Sequence, residues 1–233
     1  TQSSFADSGP LVNTISYTYV VIPFNSVDIS GTSLSINTYT LPTIGNLFIT
    51  NVTNNSAILN FTGNYSYVIV DRSGIYKTNV TSSPYSDTSI APNRPIYYTL
   101  TPYNQNNLAG NSITGQTYTL PDLSLSFTAT TSSIKLNYFG NYATTTLAEA
   151  TMGNINIDNT NRTTTFTDLT LNTGYTFTLV PYTVFGVSGS TYTLTAYTIP
   201  VLYDYTVSNI TTNSIQLDVS GNFYYLSIVR STL

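Results

Sequence analysis

Gly174-Tyr175-Thr176-Phe177-Thr178-Leu179-Val180-Pro181-Tyr182-Thr183, continuing through Gly189 to Tyr197-Thr198-Ile199-Pro200, is the stretch that decides the fold. Its landmarks occur three times. Pro181 has counterparts at Pro102 and Pro23, Gly189 at Gly110 and Gly31, and Pro200 at Pro121 and Pro42, each step being 79 residues. Three landmarks sharing one period identify a tandem array. Within the stretch, Tyr175, Phe177 and Leu179 alternate with Thr176 and Thr178, the period-2 pattern of a strand with one buried face. Pro200 then ends the pairing of the returning strand, because proline has no N–H to give to a ladder.

Working outward, the period divides the chain into four segments. Residues 1–42 read as the C-terminal half of a β-sandwich repeat, 43–121 and 122–200 as complete repeats, and 201–233 as the N-terminal half of a further one. Residues 15–22 and 33–41 form the hairpin of the first segment. In the repeat that follows, strands are predicted over 47–52, 56–62, 65–71, 96–103 and 111–120, while 73–95 resists parsing. In the last segment they are predicted over 202–207, 214–220 and 223–229. The turns Gly63-Asn64, Gly140-Asn141 and Gly221-Asn222 align a common second strand. Its inward positions are Ala57/Ile134/Ile215, Leu59/Leu136/Leu217 and Phe61/Tyr138/Val219, with Asn60/Asn137/Asp218 outward. No helix pattern occurs. About seven short strands per unit, with turn signals between, predict tandem seven-stranded antiparallel sandwiches, an all-β chain of about 79 residues per unit.

The two partial segments together make nearly one period. Two explanations stand open: a window cut from a longer array, which is the simpler, or a subunit whose ends complete one sandwich between neighbouring copies, head to tail. The sequence does not open with Met and carries no signal-like segment, so it is expected to be processed or cut from something longer.

Composition limits the function. The net charge is −4, with only six Lys and Arg, which is unlike the clustered cationic footprint of a nucleic-acid binder. No run of 18 apolar residues is present to span a bilayer as a helix. Cys, His and Trp are absent and Glu149 is the one glutamate, so neither a Ser–His nor a Cys–His nucleophile can be assembled. A carboxylate pair would have to come from Glu149 and aspartates such as Asp158, neither of which recurs at its repeat position. Asp122 and Asp204 lie near repeat junctions, but one acid per junction is too few for calcium. The expectation is therefore no enzyme, no catalytic residue, no metal and no cofactor.

At Phe166-Thr-Asp-Leu169-Thr-Leu-Asn-Thr-Gly-Tyr175-Thr-Phe177-Thr-Leu179-Val-Pro181 the chain resembles the fibronectin type III repeat. That family has a strand ending in Leu before a Tyr that opens the next strand, and the segment from Pro181 past Gly189 is similar to its F–G hairpin. The resemblance implies a tyrosine corner at Tyr175 and Tyr17. In the first complete repeat Ile96 stands at that position. The family's usual strand-B tryptophan is missing, so Tyr, Phe, Leu and Ile must close each core. The Thr/Asn/Tyr-rich repeats are also similar to arrays in structural proteins of large DNA viruses.

Arg72, Glu149 and Arg230 share one position, nine residues after the glycine of each Gly-Asn turn. They could set contacts between units, but three exposed side chains worth under about 1 kcal/mol each is the simpler reading. Lys135 is read as outward, which disfavours an isopeptide staple. The Asn-X-Ser/Thr acceptors are Asn51, Asn54, Asn60, Asn64, Asn79, Asn161 and Asn209, about as many as this composition gives by chance. The F–G loops starting at Asn25, Asn104 and Thr183 differ freely, as spacers would, and Phe185 is expected to tuck under its loop. The functional expectation is a non-enzymatic structural protein forming a virion-surface or extracellular fibre or spike. Its partners would be neighbouring copies or other structural proteins, with glycans as candidates. The alternative is an adhesin-type module presenting loops to glycans or a host receptor.

Overall fold

Alternation of apolar and hydroxyl side chains, with Val, Ile, Thr and Tyr in abundance, favours pleated strands buried on one side. In the computed structural model, which describes residues 4–151 and 153–231, every regular element is a strand. Two compact units, residues 1–119 and 120–233, divide the chain.

The first unit holds β1 (Ser16–Val21), β2 (Leu34–Tyr39), β3 (Thr43–Thr50), β4 (Ser56–Asn64), β5 (Tyr67–Arg72), β6 (Tyr76–Val80), β7 (Tyr85–Thr88), β8 (Pro95–Tyr103) and β9 (Ile113–Tyr118). Antiparallel sheets β3-β4-β7 and β6-β5-β8-β9 enclose one core, and β1-β2 is a separate hairpin. The second unit holds β10 (Ser124–Ala129), β11 (Ile134–Phe139), β12 (Thr144–Glu149), β13 (Gly153–Asp158), β14 (Thr163–Phe166), β15 (Gly174–Tyr182), β16 (Tyr192–Tyr197), β17 (Val201–Ser208) and β18 (Gln216–Asn222). Sheets β10-β11-β14 and β13-β12-β15-β16 repeat the arrangement, and β17-β18 is a second separate pair. Each complete sandwich is thus a three-stranded sheet facing a four-stranded one, seven strands in all.

The cores follow the alternation. On β4, Ala57, Leu59 and Phe61 are buried, and on β8 Ile96, Tyr98 and Leu100. Their counterparts in the second unit are Ile134, Leu136 and Tyr138, facing Phe177 and Leu179. Each fully buried side chain of this size contributes about 1.5–3 kcal/mol. Tyrosine and phenylalanine supply the bulk that a tryptophan would.

Three predicted details change. The first strand of the complete repeat begins at Thr43, with a register shift between Gly45 and Phe48. Residues 73–95 contain β6 and β7, whose short, polar sequences hide the alternation. Residues 223–229, predicted as a strand, form none. Their counterpart β5 pairs with β8 and β6, and no equivalents of those partners adjoin β18. No helix of the described residues is long and apolar enough to cross a membrane.

Candidate functional site

The recurring positions are where side chains fix the backbone, and they gather at two places in each repeat. The first is the corner before β1, β8 and β15. The Tyr17 hydroxyl accepts from Val12 N–H at 2.7 Å, and the Tyr175 hydroxyl from Thr170 N–H at 2.9 Å. Ile96, buried in the core, takes the position in the first complete repeat, where the Tyr118 hydroxyl instead donates to Asn93 O at 3.0 Å. Sequence reasoning missed a threonine that latches the same corner. Thr40, Thr119 and Thr198 donate Oγ1–H to the carbonyls of Val12, Ala91 and Thr170 at 2.6, 2.8 and 2.7 Å. Thr119 and Thr198 are buried. Their signal was the repeated Tyr39-Thr-Leu-Pro42, Tyr118-Thr-Leu-Pro121 and Tyr197-Thr-Ile-Pro200.

The second place is the end where one repeat follows another. Gly31, Gly110 and Gly189 donate N–H to the carbonyls of Pro23, Pro102 and Pro181 at 2.8, 2.9 and 2.8 Å, closing the loop between the two strands. A Cβ on Gly110 would lie 2.1 Å from Pro42 O, and one on Gly189 2.7 Å from Pro121 O. On the other side, a Cβ on Gly63, Gly140 or Gly221 would lie 2.3, 2.5 or 2.4 Å from the carbonyls of Thr43, Asp122 and Val201. Backbone approach this close requires glycine. The dipeptides Pro42-Thr43 and Pro121-Asp122 are thus each held between two glycines, which accounts for Gly63, Gly110, Gly140 and Gly189.

The loops closed by these glycines are not free spacers. Asn25 Oδ1 accepts from the N–H groups of Val27 and Ile29, Asn104 Oδ1 from Asn106 and Leu108, and Thr183 Oγ1 from Phe185 and Val187. Asp28, Asn107 and Gly186 follow in the left-handed conformation, which short polar residues and glycine tolerate. Asn104 also donates Nδ2–H to Thr40 O at 3.1 Å. With the loop drawn tight on Thr183, Phe185 is not tucked under but 72% exposed, beside exposed Val184. A further bond recurs across junctions: Thr14 Oγ1–H to Asn64 Oδ1 at 2.6 Å, and Asn172 Nδ2–H to Asn222 Oδ1 at 2.8 Å.

Two of the three equivalent charged residues are not exposed. Arg72 Nη1 pairs with buried Asp87 at 2.9 Å, and the Tyr98 hydroxyl donates to the other Asp87 oxygen at 2.8 Å. Burial, then the bond to Asp87, pushes the Tyr98 hydroxyl far up, and burial holds Tyr85 at about 12. In the second complete repeat the same places hold Phe166 and Phe177, with ring centroids 4.9 Å apart. Glu149 is buried and accepts from Thr151 N–H and Oγ1–H at 2.7 and 2.6 Å. Both depart from the expected exposure because they continue the inward side of their strands, after Val68 and Val70 on β5 and after Thr145 and Leu147 on β12. Arg230 is exposed.

The remaining acids serve turns. Asp122 accepts from Asn141 N–H at 2.6 Å and Asp204 from Tyr205 N–H at 2.8 Å. Asp158 is bound by the Thr160 hydroxyl and N–H, which lower its pKa. No group of three or more metal-ligating side chains occurs among the described residues. Lys135 is exposed. Of the glycan acceptors, Asn51, Asn64, Asn79, Asn161 and Asn209 are exposed, whereas Asn54 and Asn60 are half-buried. Asn64 Nδ2 is engaged by Asn13 O at 2.6 Å, Asn60 Nδ2 by Thr50 Oγ1 at 2.9 Å and Asn209 Nδ2 by Gln216 Oε1 at 2.6 Å.

No protein-family profile and no curated protein matches the sequence. Among solved structures the chain is similar to a segment of two fibronectin type III domains from chicken tenascin, at 12% identity and a TM-score of 0.46, covering 66% of this chain and 99% of that one. It is also similar to the central fibronectin III array of RIM-binding protein, at 14% identity and a TM-score of 0.31, covering 77% of this chain and 79% of that one. A third is the FN1–FN3 segment of chicken CNTN1, at 14% identity and a TM-score of 0.30, covering 78% of this chain and 77% of that one.

Proposed function

We propose that the chain is a non-enzymatic structural protein whose sandwich repeats build an extracellular or virion-surface fibre or spike. The observation that carries this reading is where the recurring polar side chains are used. The corner threonines, loop caps and junction glycines all bind the chain's own backbone. An enzyme would converge such groups on a cleft with displaced pKa values. A surface of hydroxyls and amides with little charge stays soluble without disulfides, which suits the outside of a cell or particle. Asn51, Asn79 and Asn161, exposed in the described residues, are the acceptors best placed for glycans there. Negative-stain images of the purified chain should show rods with a regular axial repeat. Compact isolated particles would contradict this reading.

One observation favours a binding module as the second reading. Val184 and Phe185 stand exposed on a loop whose backbone is fixed by Thr183, a rigid apolar tip of the kind that anchors a partner. On a glycan array, Phe185→Ser should then abolish a signal given by the unaltered chain. No signal from either would reject the module.

A further inference from the structure

We propose that the corner of the first complete repeat is a peptide-binding groove, which takes the free C-terminal carboxylate and last aliphatic side chain of a partner chain. The groove lies within one compact unit and does not depend on how the repeats assemble.

A missing side chain gives the first argument. At the other two corners the hydroxyl of Tyr17 or Tyr175 accepts from the N–H of Val12 or Thr170. On the 79-residue period the equivalent pair in the first complete repeat is Ile96 and Ala91. Ile96 is buried and has no hydroxyl, and Ala91 N–H has no hydrogen-bond partner among the described residues. The rest of the corner is unchanged, with Thr119 latching Ala91 O as Thr198 latches Thr170 O. Tyr175 packs against the core of its repeat from this position. In the first complete repeat both ends of the missing contact, Ile96 and Ala91, instead line a groove of about 400 Å³. The amide that a corner hydroxyl would engage is left open there, and a ligand gains by satisfying it.

Charge gives the second. Arg72 and Arg94 both line the groove, and no acid does. Arg72 is committed to buried Asp87 and offsets that carboxylate. Arg94 is exposed and forms no ion pair among the described residues. Its counterparts on the period are Ile15 and Thr173. Of the three corners, a cation therefore stands at this place only where the tyrosine is missing. The chain has ten acids against six bases, so arginines gathered without an acid mark a place for an anion. An open N–H and a guanidinium together hold a carboxylate through charge-assisted hydrogen bonds.

The walls select what the carboxylate is attached to. Ile90 and Ile96, 5% and 6% exposed, form the floor, while Ile75 and Tyr97 stand exposed at the rim. No Asp, Asn, Glu or Gln lines the groove to meet the hydroxyls of a sugar. An aliphatic body matches such a lining. Ile90 and Ala91 are neighbours in sequence, so the anion and its apolar group must sit close together. At a chain end the carboxylate and the last side chain hang from one Cα, which meets that demand. A glutamate inside a chain holds its carboxylate further from an aliphatic neighbour, and its chain continues on both sides.

Fluorescence anisotropy of the unaltered chain provides the test, with a fluorescein-labelled hexapeptide of glycine and serine ending in leucine as the probe. With its carboxylate free the peptide should bind saturably, and its C-terminal amide should bind at least about ten-fold more weakly. Arg94→Gln, at an exposed position, should cost a similar factor while leaving the midpoint of urea unfolding unchanged. Ile96→Tyr restores the corner hydroxyl, fills the groove and should abolish binding. If that variant does not fold, Arg94→Gln and the amidated peptide decide the matter. The proposal is overturned if the free-carboxylate peptide does not bind at about 1 mM. It is overturned equally if Arg94→Gln, or folded Ile96→Tyr, binds the peptide as the unaltered chain does. An amidated peptide with an internal glutamate that binds as tightly would overturn the terminal carboxylate as the ligand. None of these outcomes bears on the axial repeat of rods in negative stain, so the structural reading stands or falls separately.

Discussion

At the scale of single residues, similar side chains are used differently by neighbouring repeats. Asp87 is almost fully buried, and it is stabilised by Arg72 and the Tyr98 hydroxyl together. Removing one partner of such a group leaves the other charge buried, which costs about 3–5 kcal/mol. Asp87→Ala should therefore lower the unfolding free energy of the first complete repeat by about 3 kcal/mol in urea denaturation. The triple variant Arg72→Met/Asp87→Phe/Tyr98→Phe takes over the neighbouring repeat's Phe166–Phe177 pair, removes the charge facing it, and should cost less than the single change. The threonine latch is smaller. Thr119→Ala leaves Ala91 O without its donor and should cost about 1–2 kcal/mol, while Thr119→Ser should lie within about 0.5 kcal/mol of the unaltered chain.

At the scale of elements, the glycine and proline series mark junctions, not turns alone. Gly110 meets Pro42 O so closely that any Cβ forces the linker to move. Gly110→Ala should destabilise the first unit by about 2–3 kcal/mol and should open the segment around Pro42 to protease. Gly45→Ala, with open space around it, should do neither. Here the limits of reading the sequence are physical. The corner tyrosines Tyr17 and Tyr175 were legible only through the resemblance of the stretch before Pro181 to the fibronectin type III pattern, which implies a tyrosine there. The latch threonines do the same work but vanish in a chain crowded with threonine. Arg72 was legible as a repeated position but not as a buried one, because burial of a strand's last residue depends on the sheet opposite. Its partner Asp87 lies in the stretch that alternation could not parse. The loop caps Asn25, Asn104 and Thr183 were hidden by a change of residue type that preserves one acceptor oxygen.

At the scale of the molecule, tyrosine burial sets the alkaline limit. Burial raises the pKa of Tyr85 to about 12 and raises those of Tyr98, Tyr138 and Tyr142. A phenol whose folded pKa lies above its unfolded value, near 10, stabilises the fold fully below pH of about 10. That stabilisation is lost as pH rises toward the folded value. Stability should then be flat through neutrality and fall between about pH 10 and 12. Tyrosinate absorbance and loss of circular dichroism should coincide for the buried phenols.

The central claim is that one seven-stranded sandwich recurs along the chain, with its polar side chains committed to corners and junctions. Native-state hydrogen exchange read by mass spectrometry, in dilute solution, tests it most directly. Strong protection is expected in β5 and β8 and again in β12 and β15, with matching positions protected one period later, and weak protection in β1 and β18. Protection that ignores the 79-residue period, or spreads evenly from β1 through β18, would contradict it.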